Sequence, residues 1–151
     1  MKKFLPFLVL IFSLSVSNPS QADNLLMART NLNFPEAMLK LQDSIRNHGY
    51  TVSRVQRVDI GLTHSGYVTD KYRVVFFGKA DLVTRLSNDY PKLIPYLPFK
   101  IAIFAEGDDT LIIAANPLQL TDKTYPELKP VMKKVEKDML EIFQTMRNNE
   151  E

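Results

Sequence analysis

The chemistry open to this chain is bounded by its scarcest side chains, two histidines and no cysteine. Without thiolates it can build no cysteine-ligated zinc or iron–sulfur site and no disulfide. A metal site would have to gather around His64, with Asp59 or Asp70 as its hard partners. Two or three such ligands on one polar segment fall short of a closed coordination shell. Ser65, His64 and Asp70 supply the residue types of a nucleophile, a base and an orienting acid. Adjacent His and Ser point apart in an extended segment, however, and no G-x-S-x-G elbow presents the serine. The other histidine, His48, falls in the last turn of a predicted helix, where an imidazole meets the negative end of the helix dipole in a structural role.

Glu106, Asp108 and Asp109 lack the spacing of a calcium loop and read as the charged tip of a hairpin. Lys133, Lys134 and Lys137, interleaved with Glu136 and Asp138, read as a solvated helix face whose mixed signs do not make a polyanion site. Arg54 and Arg57 have the charge to clamp an anion, but on a polar strand face such residues are more often solvated.

The elements that must carry these residues begin behind an address. Lys2 and Lys3 form a positive n-region, Phe4 to Val16 is an apolar run, and Ser17 to Ala22 is small and polar. This is the layout of a secretory signal peptide, with cleavage expected between Ala22 and Asp23. The 13-residue apolar run is shorter than the roughly 20 residues that a spanning helix needs. Residues 1–22 are therefore read as a signal peptide and 23–151 as one domain, delivered to the periplasm or secreted, with no stable membrane span after cleavage. Cleavage lowers Lys+Arg from 19 to 17 against 17 Asp+Glu, so the mature net charge is zero and nothing in it favours nucleic acid as a partner. At 151 residues, 45% hydrophobic and 24% charged, the composition is that of a globular chain and excludes disordered and collagen-like classes.

Along the mature chain, Leu25 to Leu32 has strand character. Asn33, Pro35 and Glu36 then form a helix start, and Phe34, Ala37, Met38, Leu41 and Ile45 form its apolar stripe up to Gly49. Tyr50 to Leu62 reads as a strand with an irregularity near Ser53 to Val55, followed by a polar loop bracketed by Gly61 and Gly66. Tyr72 to Phe77 is a strand closed by Gly78, and Ala80 to Asn88 a short helix. Three prolines make Asp89 to Pro98 a loop. Lys100 to Ala105 and Thr110 to Ala115 form a hairpin about the Glu106 to Asp109 turn, with Gly107 placed for positive φ. Both hairpin strands are apolar on both faces, so each face needs a cover. Thr124 and Glu127 have capping-box spacing before a short turn, and the main C-terminal helix runs from about Pro130 to Arg147. Its stripe includes Val131, Met132, Val135, Met139, Ile142, Phe143 and Met146.

The order is β-α-β-β-α-β-β-α, an α+β fold with a mainly antiparallel sheet backed by helices, including the long C-terminal one. In that order, Phe76-Phe77-Gly78-Lys79, Leu97-Pro98-Phe99-Lys100, the Glu106 to Asp109 turn and Asn116-Pro117 resemble the bacterial and archaeal domain of unknown function 302 family. The likeness is strongest over Tyr72 to Leu120 and extends from Leu25 to Met146. It implies this α+β fold and a tendency to dimerise, and it imports no activity. Many relatives carry Asn where Lys79 stands and Asp-His where Asp59-Ile60 stands.

Asp59, His64, Gly78, Lys79, Lys100 and Asn116 form the candidate ligand-binding set. No residue is assigned a catalytic or metal role, and no cofactor is expected. The first reading is a non-enzymatic module that binds a small apolar or amphipathic molecule between the two-sided apolar sheet and its helices. The second is a structural or interaction protein of the cell envelope that buries the same apolar face by self-association, as a homodimer. The third is a hydrolase using the Asp59/His64 region, ranked last because no motif assembles nucleophile, base and orienting group.

Overall fold

The first helix forms where local chemistry demands it. Asn33 adopts an extended conformation, and its side-chain Oδ1 accepts from the Glu36 N–H at 3.1 Å, while proline fills an early position where no N–H is needed. Helix α1 then runs Phe34–Asn47. It ends where Gly49, at φ +76°, lets the chain turn back so that the Tyr50 N–H reaches the Ile45 carbonyl. Phe34, Ala37, Leu41 and Ile45 are buried, so the 3- and 4-residue spacing marks the face that packs. This computed structural model describes residues 24–121 and 125–147. The expected signal segment with its cleavage site, and the Thr124 end of the capping box, lie outside the described residues.

Five strands, β1 (Leu25–Thr30), β2 (Thr51–Arg57), β3 (Tyr72–Gly78), β4 (Phe99–Glu106) and β5 (Asp109–Ala115), form one antiparallel sheet among the described residues. The spatial order is β1-β5-β4-β3-β2. Glu106 pairs with Asp109 across Gly107 and Asp108, with Gly107 at φ +61°, which gives the tight hairpin expected there. The expected irregularity in β2 appears as a register shift between Val52 and Arg54. The long C-terminal helix spans Lys129–Arg147 behind a 3-10 turn at Pro126–Leu128. Among the described residues no helix is long and apolar enough to cross a membrane.

The segment after β2 departs from expectation. Val58 to Leu62 alternates like a strand, yet the chain forms helix α2 over Val58–His64, so Gly61 lies within a helix and does not open a loop. The reason is non-local. The β2–β3 register closes at Arg57↔Arg73, one residue from the start of β3, so a longer β2 would have almost no ladder left to satisfy its backbone. A helix satisfies those groups within the segment. Helix α3 spans Ala80–Asp89, and the proline-rich stretch expected as a loop folds into a 3-10 turn at Pro91–Tyr96. Leu93 of this turn is buried, whereas Ile94 and Tyr96 stand about half exposed. The C-terminal helix becomes α4 in this numbering.

Burial alternates along the strands. Phe77, Ile101, Ile103 and Ile112 are fully buried on the helix side, with Leu41 and Ile45 of α1 and Met132, Met139, Ile142, Phe143 and Met146 of α4. The methionines of the last stripe are thus core. On the opposite face the register aligns three rows: Arg29, Leu111, Phe104 and Tyr72; then Met27, Ile113, Ala102, Val74 and Gln56; then Leu25 with Ala115, and Lys100 with Phe76 and Arg54. Tyr72, Val74, Phe76, Ala102, Phe104, Leu111 and Ile113 are partly buried and the rest of these residues are exposed, Leu25 and Met27 at 51% and 47%. The two-sided apolar character read from the hairpin is present, with helices on one side and solvent on the other.

Candidate functional site

The candidate residues do not converge on a single site. Asp59 and His64, both on α2, line a recess with Ile60, Thr63, Asp70 and Lys71, nearly all of them exposed. Asp59 is given to Arg73: the guanidinium bonds its carboxylate directly and holds its pKa below the usual carboxylate range, helped by the Ile60 N–H. A carboxylate so held is a weak proton acceptor. Ser65 caps α2 and donates its hydroxyl to the Gly61 carbonyl at 3.1 Å. The arrangement contains no activated nucleophile. Among the described residues no three His, Asp or Glu side chains stand together as a metal group.

Gly78 and Lys79 serve the packing of α3. A Cβ on Gly78 would lie 2.6 Å from Val83 Cγ2, so only glycine lets the first turn of α3 approach the end of β3. The Lys79 ammonium sits 4.5 Å over the ring of Tyr50. That ring meets Phe77 edge-on at 5.4 Å, and its hydroxyl donates to Asp138 at 2.8 Å. Burial first, and then the acceptor Asp138, push the Tyr50 pKa above the ordinary phenol range, so the hydroxyl stays a donor. Asp138 and Glu136, expected on a solvated face of α4, are both half-buried hydrogen-bond acceptors; Glu136 receives the Asn116 amide at 2.6 Å. Lys133, Lys134 and Lys137 are exposed as expected.

Lys100 and Asn116 are the pair that the fold brings together. They face one cavity of about 120 Å³ at the ends of β4 and β5. Lys100 Nζ donates to the Pro95 carbonyl at 3.0 Å, which ties β4 to the Pro91–Tyr96 turn. Asn116 is 4% exposed, and its Oδ1 accepts from the Leu118 N–H at 2.9 Å. The cavity walls include Phe99, Leu120 and Met139; the sequence offered Phe99 only within the Leu97-Pro98-Phe99-Lys100 motif and Met139 only in the apolar stripe of the last helix, with nothing to connect them. His48 brackets α1 and α4: its Nδ1 lies 2.8 Å from the Ser44 carbonyl and its Nε2 3.4 Å from Glu141.

The family described as "Domain of unknown function DUF302" matches residues 26–146. Among solved structures, the chain is similar to an uncharacterized conserved DUF302 protein from Bacillus stearothermophilus, known from a crystal structure. The two are 20% identical over 83% of this chain and 100% of that one, with a TM-score of 0.75. Comparison with curated proteins found no match. The structural likeness carries the α+β fold and nothing chemical.

Proposed function

This chain belongs to the DUF302 family, and from that premise, which brings a fold and no activity, we propose a non-catalytic module that works by self-association through the open face of its sheet. The observation that carries this reading is the apolar middle of that face. Leu111, Ile113, Ala102, Phe104, Val74 and Phe76 occupy its centre, and the Tyr72 and Phe104 rings pack edge-on at 6.0 Å. Charge is confined to the margins: Arg29 pairs with Glu106 at 2.7 Å at one corner, and Lys100 and Arg54 stand at the far end.

Such a face suits a second copy of itself. Five strands at about 4.8 Å spacing and three residue rows give a patch of about 24 by 20 Å. Two patches bury on the order of 1,000 Å² in total, the threshold of a specific interface. Ala102 lies between Ile113 and Val74 in its row, and its small side chain gives room for a facing aliphatic one when sheets stack about 10 Å apart. The contact is apolar and therefore insensitive to salt.

We place this work after export. Lys2 and Lys3, the Phe4 to Val16 run and the small residues before Asp23 support removal of residues 1–22 and delivery to the periplasm or beyond.

Light scattering on the eluting protein at micromolar concentration, in low and high salt, tests the association. A mass twice that of the chain in both conditions is expected, together with a folded monomer for Ile113→Asp. A wild-type monomer mass in both conditions would overturn the proposal.

A further inference from the structure

The β4–β5 ladder stops at Ala102↔Ile113, although β4 begins at Phe99 and β5 continues to Ala115. Beyond that pair each strand is held from its outer side only, β4 by β3 through Phe77↔Phe99 and β5 by β1 through Leu25↔Ala115. The strand ends therefore part, and the cavity that holds Lys100 and Asn116 lies in the wedge between them. Its inner wall is apolar, with Phe99 and Met139 almost completely buried and Leu120 partly so. Tyr96 and Lys100 stand on its exposed side.

We propose that this wedge is a binding site for a short-chain carboxylate, with its alkyl tail against Phe99, Leu120 and Met139 and its carboxylate on Lys100 Nζ. Three features select that class. Lys100 is the one lining residue with a charged side chain, so the field at the mouth favours an anion. Its ammonium spends one donor on the Pro95 carbonyl, which anchors it at the rim, and has two more to offer a carboxylate. Asn116 donates its amide to Glu136 at 2.6 Å, which fixes this side chain in the wall of the cavity. Size sets the tail: about 120 Å³ is well below the roughly 300–1,000 Å³ of sites for drug-sized ligands, so the occupant is a few carbons long. Met139, unbranched and polarizable, adapts to such a tail.

Every lining residue belongs to one chain, and because Lys100 also borders the face proposed above to self-associate, binding is measured on the monomeric Ile113→Asp as well as on the wild type. The test is a calorimetric titration of the purified protein with acetate, butyrate and octanoate, and with 1-butanol and butylamine as head-group controls, alongside melting curves. Butyrate is expected to bind and raise the melting temperature, acetate and octanoate to bind more weakly, and butylamine to give no heat. Lys100→Met keeps an apolar stem over Phe76 and is expected to weaken butyrate about tenfold or more while leaving 1-butanol unchanged. The same titration on Ile113→Asp should give the wild-type butyrate affinity. No response to butyrate, an equal response to butylamine, an unchanged affinity in Lys100→Met, or a loss of binding in Ile113→Asp would each overturn the assignment.

Discussion

Tyr50 and Asp138, 88 residues apart, are joined by a 2.8 Å hydrogen bond that fastens the entry of β2 to the middle of α4. The phenol is buried and its ring lies between Lys79 and Phe77, so the bond closes a contact that packing has already ordered. Tyr50→Phe should lower stability by about 1.5–3 kcal/mol, the range for hydrogen bonds to charged groups, read as a shift of the urea midpoint at constant slope. The pH dependence follows from the raised pKa. The folded state keeps the proton longer than the unfolded chain, so this stabilisation is complete below about pH 10 and is lost as pH rises further. The variant should lose less stability between neutral pH and pH 11 than the wild type does. Equal losses would separate alkaline unfolding from this residue.

The second pair acts at the opposite end of the pH scale. Arg73 holds the Asp59 carboxyl pKa below its ordinary value, so its contribution is present above about pH 4 and disappears as pH falls through the lowered folded value. Asp59→Asn should destabilise the protein at neutral pH and flatten the decline in stability on acidification. An acid limb identical to wild type would show that other carboxylates govern it.

Gly78 is a steric requirement of the packing. Gly78→Ala places a methyl against Val83 and should cost about 1–3 kcal/mol, as overpacking does. Val83→Ala in the same chain should recover part of that loss, and a double-mutant cycle measures the coupling. Additive effects would mean that the two residues do not meet.

What could be read in advance was local. Helix α1 follows from Asn33, Glu36 and its stripe because cap and periodicity act within a few residues. The hairpin follows from Gly107 between two apolar runs. Val58 to Leu62 misled because its alternation is that of a strand, while the absence of a partner is decided at Tyr72, ten or more residues away. Glu136 and Asp138 misled for the same reason: their partners, Asn116 and Tyr50, are distant in sequence. Lys100 and Asn116 were visible as motif positions, but the cavity between them arises from a ladder that ends early and from Met139 on another element.

Export has a direct mass test. If residues 1–22 direct secretion, the protein recovered from the periplasm or medium should begin at Asp23 and have the intact mass of residues 23–151. Retention of the N-terminal segment would overturn the localisation and the neutral mature charge together.

Ile112 and Ile113 are neighbours with opposite fates, and this contrast tests the two faces of the sheet at once. Ile112 is fully buried among the helices, whereas Ile113 lies in the central row of the open face and is only partly buried. A carboxylate at position 112 has no partner there, and its burial costs several kcal/mol against a total stability of about 5–15 kcal/mol. Ile112→Asp should therefore fail to fold, and Ile103→Asp, from the paired position on β4, should behave alike. Ile113→Asp should keep the wild-type far-UV circular dichroism and melt cooperatively, because its carboxylate stays hydrated in the monomer. Two monomers brought face to face would have to strip water from that charge, so its loss falls on association and not on folding. A folded Ile112→Asp would mean that the helix layer does not seal this side, and an unfolded Ile113→Asp would mean that the open face is covered by the chain itself.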